Sequence, residues 1–300
     1  MTPDDLMFKP GLLKGHRILV TGGGTGLGKE MAEGCLILGA EVYICGRRGG
    51  VLQDAAKELT DRHGGKVIPM ACDIRVPEAI HEMMDEIWAG GALTGLVNNA
   101  AGNFISRTED LSPRGFDAIA NIVFRGSFFV TLDAGKRWLA EKKQAAVVSI
   151  LTTWVWSGGP FTVPSAMSKA GLNVMTQSLA AEWGNRGVRL NAIAPGPFPT
   201  EGAWARLNPG SSAGGDGGRA ETGSPLGRVG DMRELANLAV YLLHPLSEYV
   251  NGQTIAIDGG EYQASGGNFS HLSSWTPEDW KRAAESIQRK DAADRQKRAT

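Results

Sequence analysis

Short, almost unbroken apolar runs alternate along the chain with longer segments whose apolar residues recur every three to four positions. The short runs are "RILVTG" (17–22), "EVYICG" (41–46), "KVIPMACD" (66–73), "TGLVNNA" (94–100), "AAVVSIL" (145–151), "VRLNAIAPG" (188–196) and "QTIAIDGG" (253–260). They lack the polar alternation of a strand with one wet face, so they predict strands covered on both faces. Segments such as "GKEMAEGCLILGA" and "KAGLNVMTQSLAAEWG" between them have helical periodicity. Strand–helix alternation over about 260 residues predicts an α/β fold, a Rossmann-type doubly wound parallel sheet of about seven strands in one domain.

Two regions depart from this rhythm. "NPGSSAGGDGGRAETG" (208–223) holds six glycines and few apolar residues, and is expected to be a flexible loop at the substrate side. The tail from 276 to 300 starts with a helix signal, Thr276 as N-cap, Pro277 in the first turn, then Glu278 and Asp279, and continues as a highly charged surface helix.

Composition narrows the function classes. The 300 residues carry a formal net charge of −1, which excludes a nucleic-acid role that rests on a basic face. Cys35, Cys45 and Cys72 sit in or beside apolar runs, with neither metal-ligand nor disulfide spacing. A reduced, cytoplasmic setting is the expectation. The N-terminus does not read as a signal peptide, and no run reaches the roughly 18 uninterrupted apolar residues of a membrane span. The five histidines (16, 63, 81, 244 and 271) are scattered and predict no metal site; His271 alone stands near the predicted substrate end.

"ILVTGGGTGLGKEM" joins the first strand to the first helix. Gly22, Gly26 and Gly28, with Thr25 and Leu27 between them, let the backbone turn tightly and approach a pyrophosphate at a helix N-terminus. An NAD site commonly has an acid at the end of the second strand for the ribose hydroxyl. Here Cys45 and Gly46 are followed by Arg47 and Arg48. Two guanidiniums without a carboxylate suit a 2′-phosphate, which predicts NADPH, with Arg47 the main contact. Asp73 and Ile74 end the third strand, where a carboxylate or neighbouring amide can reach adenine. Asn99, Ala100 and Ala101 end the fourth, where small residues let the backbone approach the cofactor and asparagines can tie strand ends.

These residues resemble the short-chain dehydrogenase/reductase family over about residues 14–262. The markers are "TGGGTGLG", "NNAAG", Lys169, "NAIAPGPF" with Pro195, Gly196 and Pro197, and the late "DGG". "NNAAGNFISRTEDLSP", "VPSAMSKAG", "APGPFPTEGA" and "DGGEYQASGGNF" are similar to its 2,4-dienoyl-CoA reductase branch. The resemblance implies NADPH-dependent reduction of a dienoyl-CoA thioester, an auxiliary step of unsaturated fatty acid β-oxidation, by a homotetramer. It also implies roles: Lys169 at the nicotinamide ribose, with Ser165 and Asn103 near the thioester oxygen. Ser165 occupies the place of the general family's catalytic tyrosine, four residues before Lys169, so both share one helix face.

Hydride addition to a conjugated diene leaves charge on the thioester oxygen, so the chemistry calls for oxyanion donors and then a proton for carbon. The proton donor is unassigned: the tyrosine that follows a Thr-Thr pair in mitochondrial members is absent from "LTTWVWSGGP". Val123 replaces the family's helix-four asparagine, and Thr152 or Thr153 its serine. Trp154 and Trp156 are candidates either for an acyl tunnel or for ordinary core. Two other readings stay open: a family enzyme acting on another substrate, and a catalytically silent NADP-binding scaffold.

Overall fold

The computed structural model describes residues 1–200, 223–265, 272 and 274–286. The expected loop 208–222, His271 and the tail 287–300 lie outside the described residues.

The strands are β1 (Arg17–Thr21), β2 (Glu41–Gly46), β3 (Lys66–Ala71), β4 (Gly95–Asn98), β5 (Ala145–Ile150), β6 (Val188–Pro195) and β7 (Thr254–Ile257). They form one seven-stranded sheet in the order β3-β2-β1-β4-β5-β6-β7. Every pairing is parallel, with Arg17 opposite Glu41 and Gly95 opposite Ala146. The helices are α1 (Gly26–Ile37), α2 (Gly49–His63), α3 (Pro77–Ala89), α4 (Pro113–Ala120), α5 (Ser127–Glu141), the single turn α6 (Trp154–Ser157), α7 (Val163–Trp183), α8 (Met232–Leu243) and the short α9 (Glu261–Ser265). A last helical stretch covers 277–286, and Thr276 starts it as expected: its Oγ1 donates to Asp279 Oδ2 at 2.7 Å and accepts from Asp279 N at 3.2 Å.

The absence of polar alternation now has its cause. Ile18 and Val20 of β1 face a core shared with α1, α2 and α8, whereas Leu19 between them faces a second core built on α3, α5 and α7. Both faces of the central strands are therefore dry. Trp138 fills the second core, and its indole N–H donates to Leu93 O at 2.7 Å. Arg189 is buried and pairs with no carboxylate among the described residues. It donates instead to the carbonyls of Leu242, His244, Ser247 and Val250, which ties the end of α8 and the following turn to β6.

One feature had no counterpart in the sequence pattern. Asn121–Gly126 is a π-helical turn that joins α4 to α5, and Val123 is fully buried within it. The continuous rod Pro113–Glu141 is long and apolar enough to cross a membrane, by length and composition only, although no unbroken apolar run of that length exists. Its α5 part buries Val130, Ala134 and Trp138 against the sheet.

The chain reverses its direction across the sheet between β1 and β4. The C-terminal ends of the strands open there into a crevice, which is where this class of sheet binds ligands.

Candidate active site

A cleft of about 1090 Å³ runs along those strand ends. It is lined by Gly22, Thr25 and Leu27 after β1, Arg47 and Arg48 after β2, Asp73 and Ile74 after β3, and Asn99, Ala100, Ala101 and Asn103 after β4. Ser165 and Lys169 of α7 and Pro195, Gly196 and Pro197 after β6 complete it. Of the residues expected from the sequence, only Gly26 and Gly28 stand behind this lining, where they shape the turn. A Cβ on Gly28 would lie 2.4 Å from Asn99 Nδ2 and 2.5 Å from Gly22 O, so no larger residue fits. Asn99 itself stitches β4 to β1, donating to Thr21 O at 3.0 Å and Gly22 O at 3.3 Å.

The first turn of α1 suits an anion. Thr25 provides no side-chain cap and no acid occupies that turn, so its amides keep their hydrogen-bonding capacity for a ligand. Arg47 and Arg48 are exposed and make no ion pair among the described residues. The Asp73 carboxylate is taken up by Arg75, whose Nε lies 2.9 and 3.0 Å from its two oxygens. That bond holds Asp73 below the usual carboxylate range.

At the other end of the cleft, α7 starts with Thr162 as N-cap and Pro164 in its first turn. Ser165 is therefore a helical residue and not the cap. It is 5% exposed, and its hydroxyl has no hydrogen-bond partner among the described residues. Lys169, one turn on, is 6% exposed, so it is no surface lysine. Its ammonium donates to Ile150 O and pairs with no carboxylate among the described residues, and burial pulls its pKa from 10.5 down to about 8. Asn103 accepts the Phe104 amide at 2.9 Å through Oδ1, which leaves Nδ2 to donate. Ser106 N donates to Phe161 O at 2.9 Å, so the loop carrying Asn103 is tied to the turn that launches Ser165.

Trp154 lines the cleft, and Trp156 is 42% exposed and stacks on Tyr262 with ring centroids 4.7 Å apart. Neither is ordinary core. Thr152 and Thr153, the two candidates for the place of the family's serine, both line the cleft; Thr200, Glu261 and Tyr262 also line it and were missed as site residues. The signal for the last two was present: Gly259 (φ 62°) and Gly260 (φ 83°) turn the chain back over the strand ends directly after β7.

A parallel sheet in this order, with a phosphate-ready helix start and a serine–lysine pair at the far end, defines a dinucleotide-binding oxidoreductase. The family model described as Enoyl-(Acyl carrier protein) reductase matches residues 22–261. The chain belongs to the short-chain dehydrogenase/reductase family, whose cofactor is a nicotinamide dinucleotide. It is 44% identical over 276 residues to an uncharacterized oxidoreductase of Caenorhabditis elegans, covering 90% of this chain and 88% of that one. It is 41% identical over 281 residues to a second protein of that worm, covering 92% and 91%, whose name reads "Probable 2,4-dienoyl-CoA reductase", (3E)-enoyl-CoA-producing. Among solved structures, the citronellol catabolism dehydrogenase AtuB of Pseudomonas aeruginosa PAO1 superposes with a TM-score of 0.74 at 34% identity, over 86% of this chain and 100% of that one.

Proposed function

We propose that this protein reduces the conjugated diene of a 2,4-dienoyl-CoA, or a closely related enoyl thioester, with NADPH. The observation that carries the reading is the donor set around Lys169. Ser165 and Asn103 line one cleft with the buried Lys169, and neither Ser165 Oγ nor Asn103 Nδ2 has a hydrogen-bond partner among the described residues. Serine stands where a ketone reductase of the family keeps its phenol.

The bound nicotinamide supplies a hydride. Addition to the far carbon of the diene moves charge along the conjugated system onto the thioester oxygen. Ser165 and Asn103 donate to that oxygen, and the Lys169 ammonium adds positive charge. A preorganised donor of this kind contributes about 3 kcal/mol to the transition state. Arg47 and Arg48 suit a 2′-phosphate, because β2 ends on Gly46 with no acid to accept a ribose hydroxyl. With the Asp73 carboxylate held by Arg75, the backbone at Asp73 and Ile74 is what remains for adenine.

The metabolic place of such a step is the β-oxidation of fatty acids that already carry double bonds. The three cysteines are buried and unpaired, which suits a reducing cytoplasmic setting. Phe124, Phe128, Met167 and Val174 are exposed on the π turn, α5 and α7, an apolar surface that suits assembly into a homotetramer.

Ser165→Ala is the test. The turnover number with 2,4-hexadienoyl-CoA should fall about 10²- to 10³-fold with NADPH affinity unchanged. A variant with wild-type turnover would show that the oxyanion is held elsewhere.

A further inference from the structure

The donor set leaves the second half of the reaction without a proton source. Ser165 and Asn103 serve the oxygen, Lys169 supplies its charge to that oxygen while one of its N–H groups donates to Ile150 O, and none of the described histidines lines the cleft. Glu261 does line it, on the segment folded over the strand ends by Gly259 and Gly260. That segment is firmly held. The Asp258 carboxylate accepts from Gly260 N and from Tyr262 N, each at 2.9 Å, and so fixes the first turn of α9. The Glu261 side chain reaches to the Pro195–Gly196 turn: a Cβ built on Gly196 would stand 3.3 Å from Oε2, and one on Gly223 3.6 Å from Oε1. The carboxyl is half-buried and accepts no hydrogen bond from any described residue.

We propose that Glu261 is the general acid that protonates the substrate carbon after hydride addition. The proposal rests on the dienoyl-CoA reading above. The hydride and its electron pair form the new C–H bond at the far diene carbon, and the displaced π electrons delocalise to the thioester oxygen. When the carbonyl re-forms, a carbanionic carbon takes the proton from the Glu261 carboxyl. The carboxylate left behind recovers a proton from water. The sum is one diene, one NADPH and one proton converted into one enoyl thioester and one NADP⁺.

Its surroundings suit an acid. Burial, and then the nearby Asp258 carboxylate, push the Glu261 carboxyl above the usual range, which favours the protonated form. The other charged groups of the cleft are Lys169 from α7 and, at the adenosine end, Arg47, Arg48 and Asp73. Tyr262 presents its ring to Trp156, and a carboxylic acid is in any case a stronger proton donor than a phenol.

The experiment measures turnover of 2,4-hexadienoyl-CoA against pH for the wild type, Glu261→Gln and Glu261→Asp, with NADPH affinity and melting temperature alongside. The wild-type turnover number should fall as pH rises through the Glu261 pKa, a limb separate from the later one of Lys169. Glu261→Gln should lose about 100-fold or more in turnover and lose that first limb. KM and NADPH affinity should change by less than about threefold. Glu261→Asp should keep the limb at a reduced rate. Wild-type turnover in Glu261→Gln, or an unchanged first limb, would overturn the proposal and leave the dienoyl reading intact. Loss of NADPH binding or of folding in both variants would assign Glu261 a structural role and overturn it equally. A wild-type protein inert on dienoyl-CoA would sink the dienoyl reading itself.

Discussion

Replacing Lys169 by methionine should stabilise the protein while it destroys turnover. The ammonium is 6% exposed and has no carboxylate partner among the described residues, and burial lowers its pKa from 10.5 to about 8. At about 1.36 kcal/mol per pH unit, holding that charge near neutral pH costs about 3 kcal/mol. Methionine keeps most of the apolar stem and forfeits the bond to Ile150 O, worth about 1 kcal/mol. Lys169→Met should therefore gain about 2 kcal/mol near neutral pH, a rise of roughly 3 °C in melting temperature for a chain of 300 residues.

The gain has a definite pH dependence. Between about 8 and 10.5 the unfolded lysine still holds its proton and the folded one has released it, so wild-type stability rises with pH across that window. The methionine variant has no such rise, and its advantage should vanish there. Thermal unfolding followed by circular dichroism, without cofactor, across that range is the assay. A variant that melts below the wild type near neutral pH, or a difference that does not change with pH, would refute the reasoning.

Other substitutions probe separate parts of the account. Arg47→Ala should weaken NADPH about 10- to 100-fold and leave NADH nearly untouched in fluorescence titrations, because a charge-assisted bond to a 2′-phosphate is lost. Gly28→Ala should abolish binding of either nucleotide, measured calorimetrically, since its methyl would strike Asn99 Nδ2 and Gly22 O. Arg189→Met should cost about 2 kcal/mol in urea unfolding, because the carbonyls of Leu242, His244, Ser247 and Val250 each lose a guanidinium donor.

The strands were legible because both sheet faces are covered. Ile18, Leu19 and Val20 are all buried, on alternating sides, so the sequence shows an apolar run where a half-wet strand would show a stripe. The Ser165–Lys169 pair was legible through the family resemblance, and its spacing of one helical turn puts both residues on one face. What escaped notice depends on contacts across the fold. Glu261 and Tyr262 reach the cleft only because two left-handed glycines reverse the chain after the edge strand, and periodicity says nothing about where a reversed segment lands. The same holds for Trp156, whose place on Tyr262 distinguishes it from a core tryptophan. The π turn at Asn121–Gly126 is one extra residue per turn and has no compositional signature.

The central claim is that the cleft holds negative charge on a thioester oxygen and does not hand a phenolic proton to a ketone. The most direct measurement is NADPH oxidation at saturating cofactor, with 2,4-hexadienoyl-CoA and 2,4-decadienoyl-CoA compared with simple ketones. The account predicts turnover of the conjugated thioesters with formation of an enoyl-CoA, and none of the ketones. Ketone reduction without dienoyl-CoA turnover would contradict it.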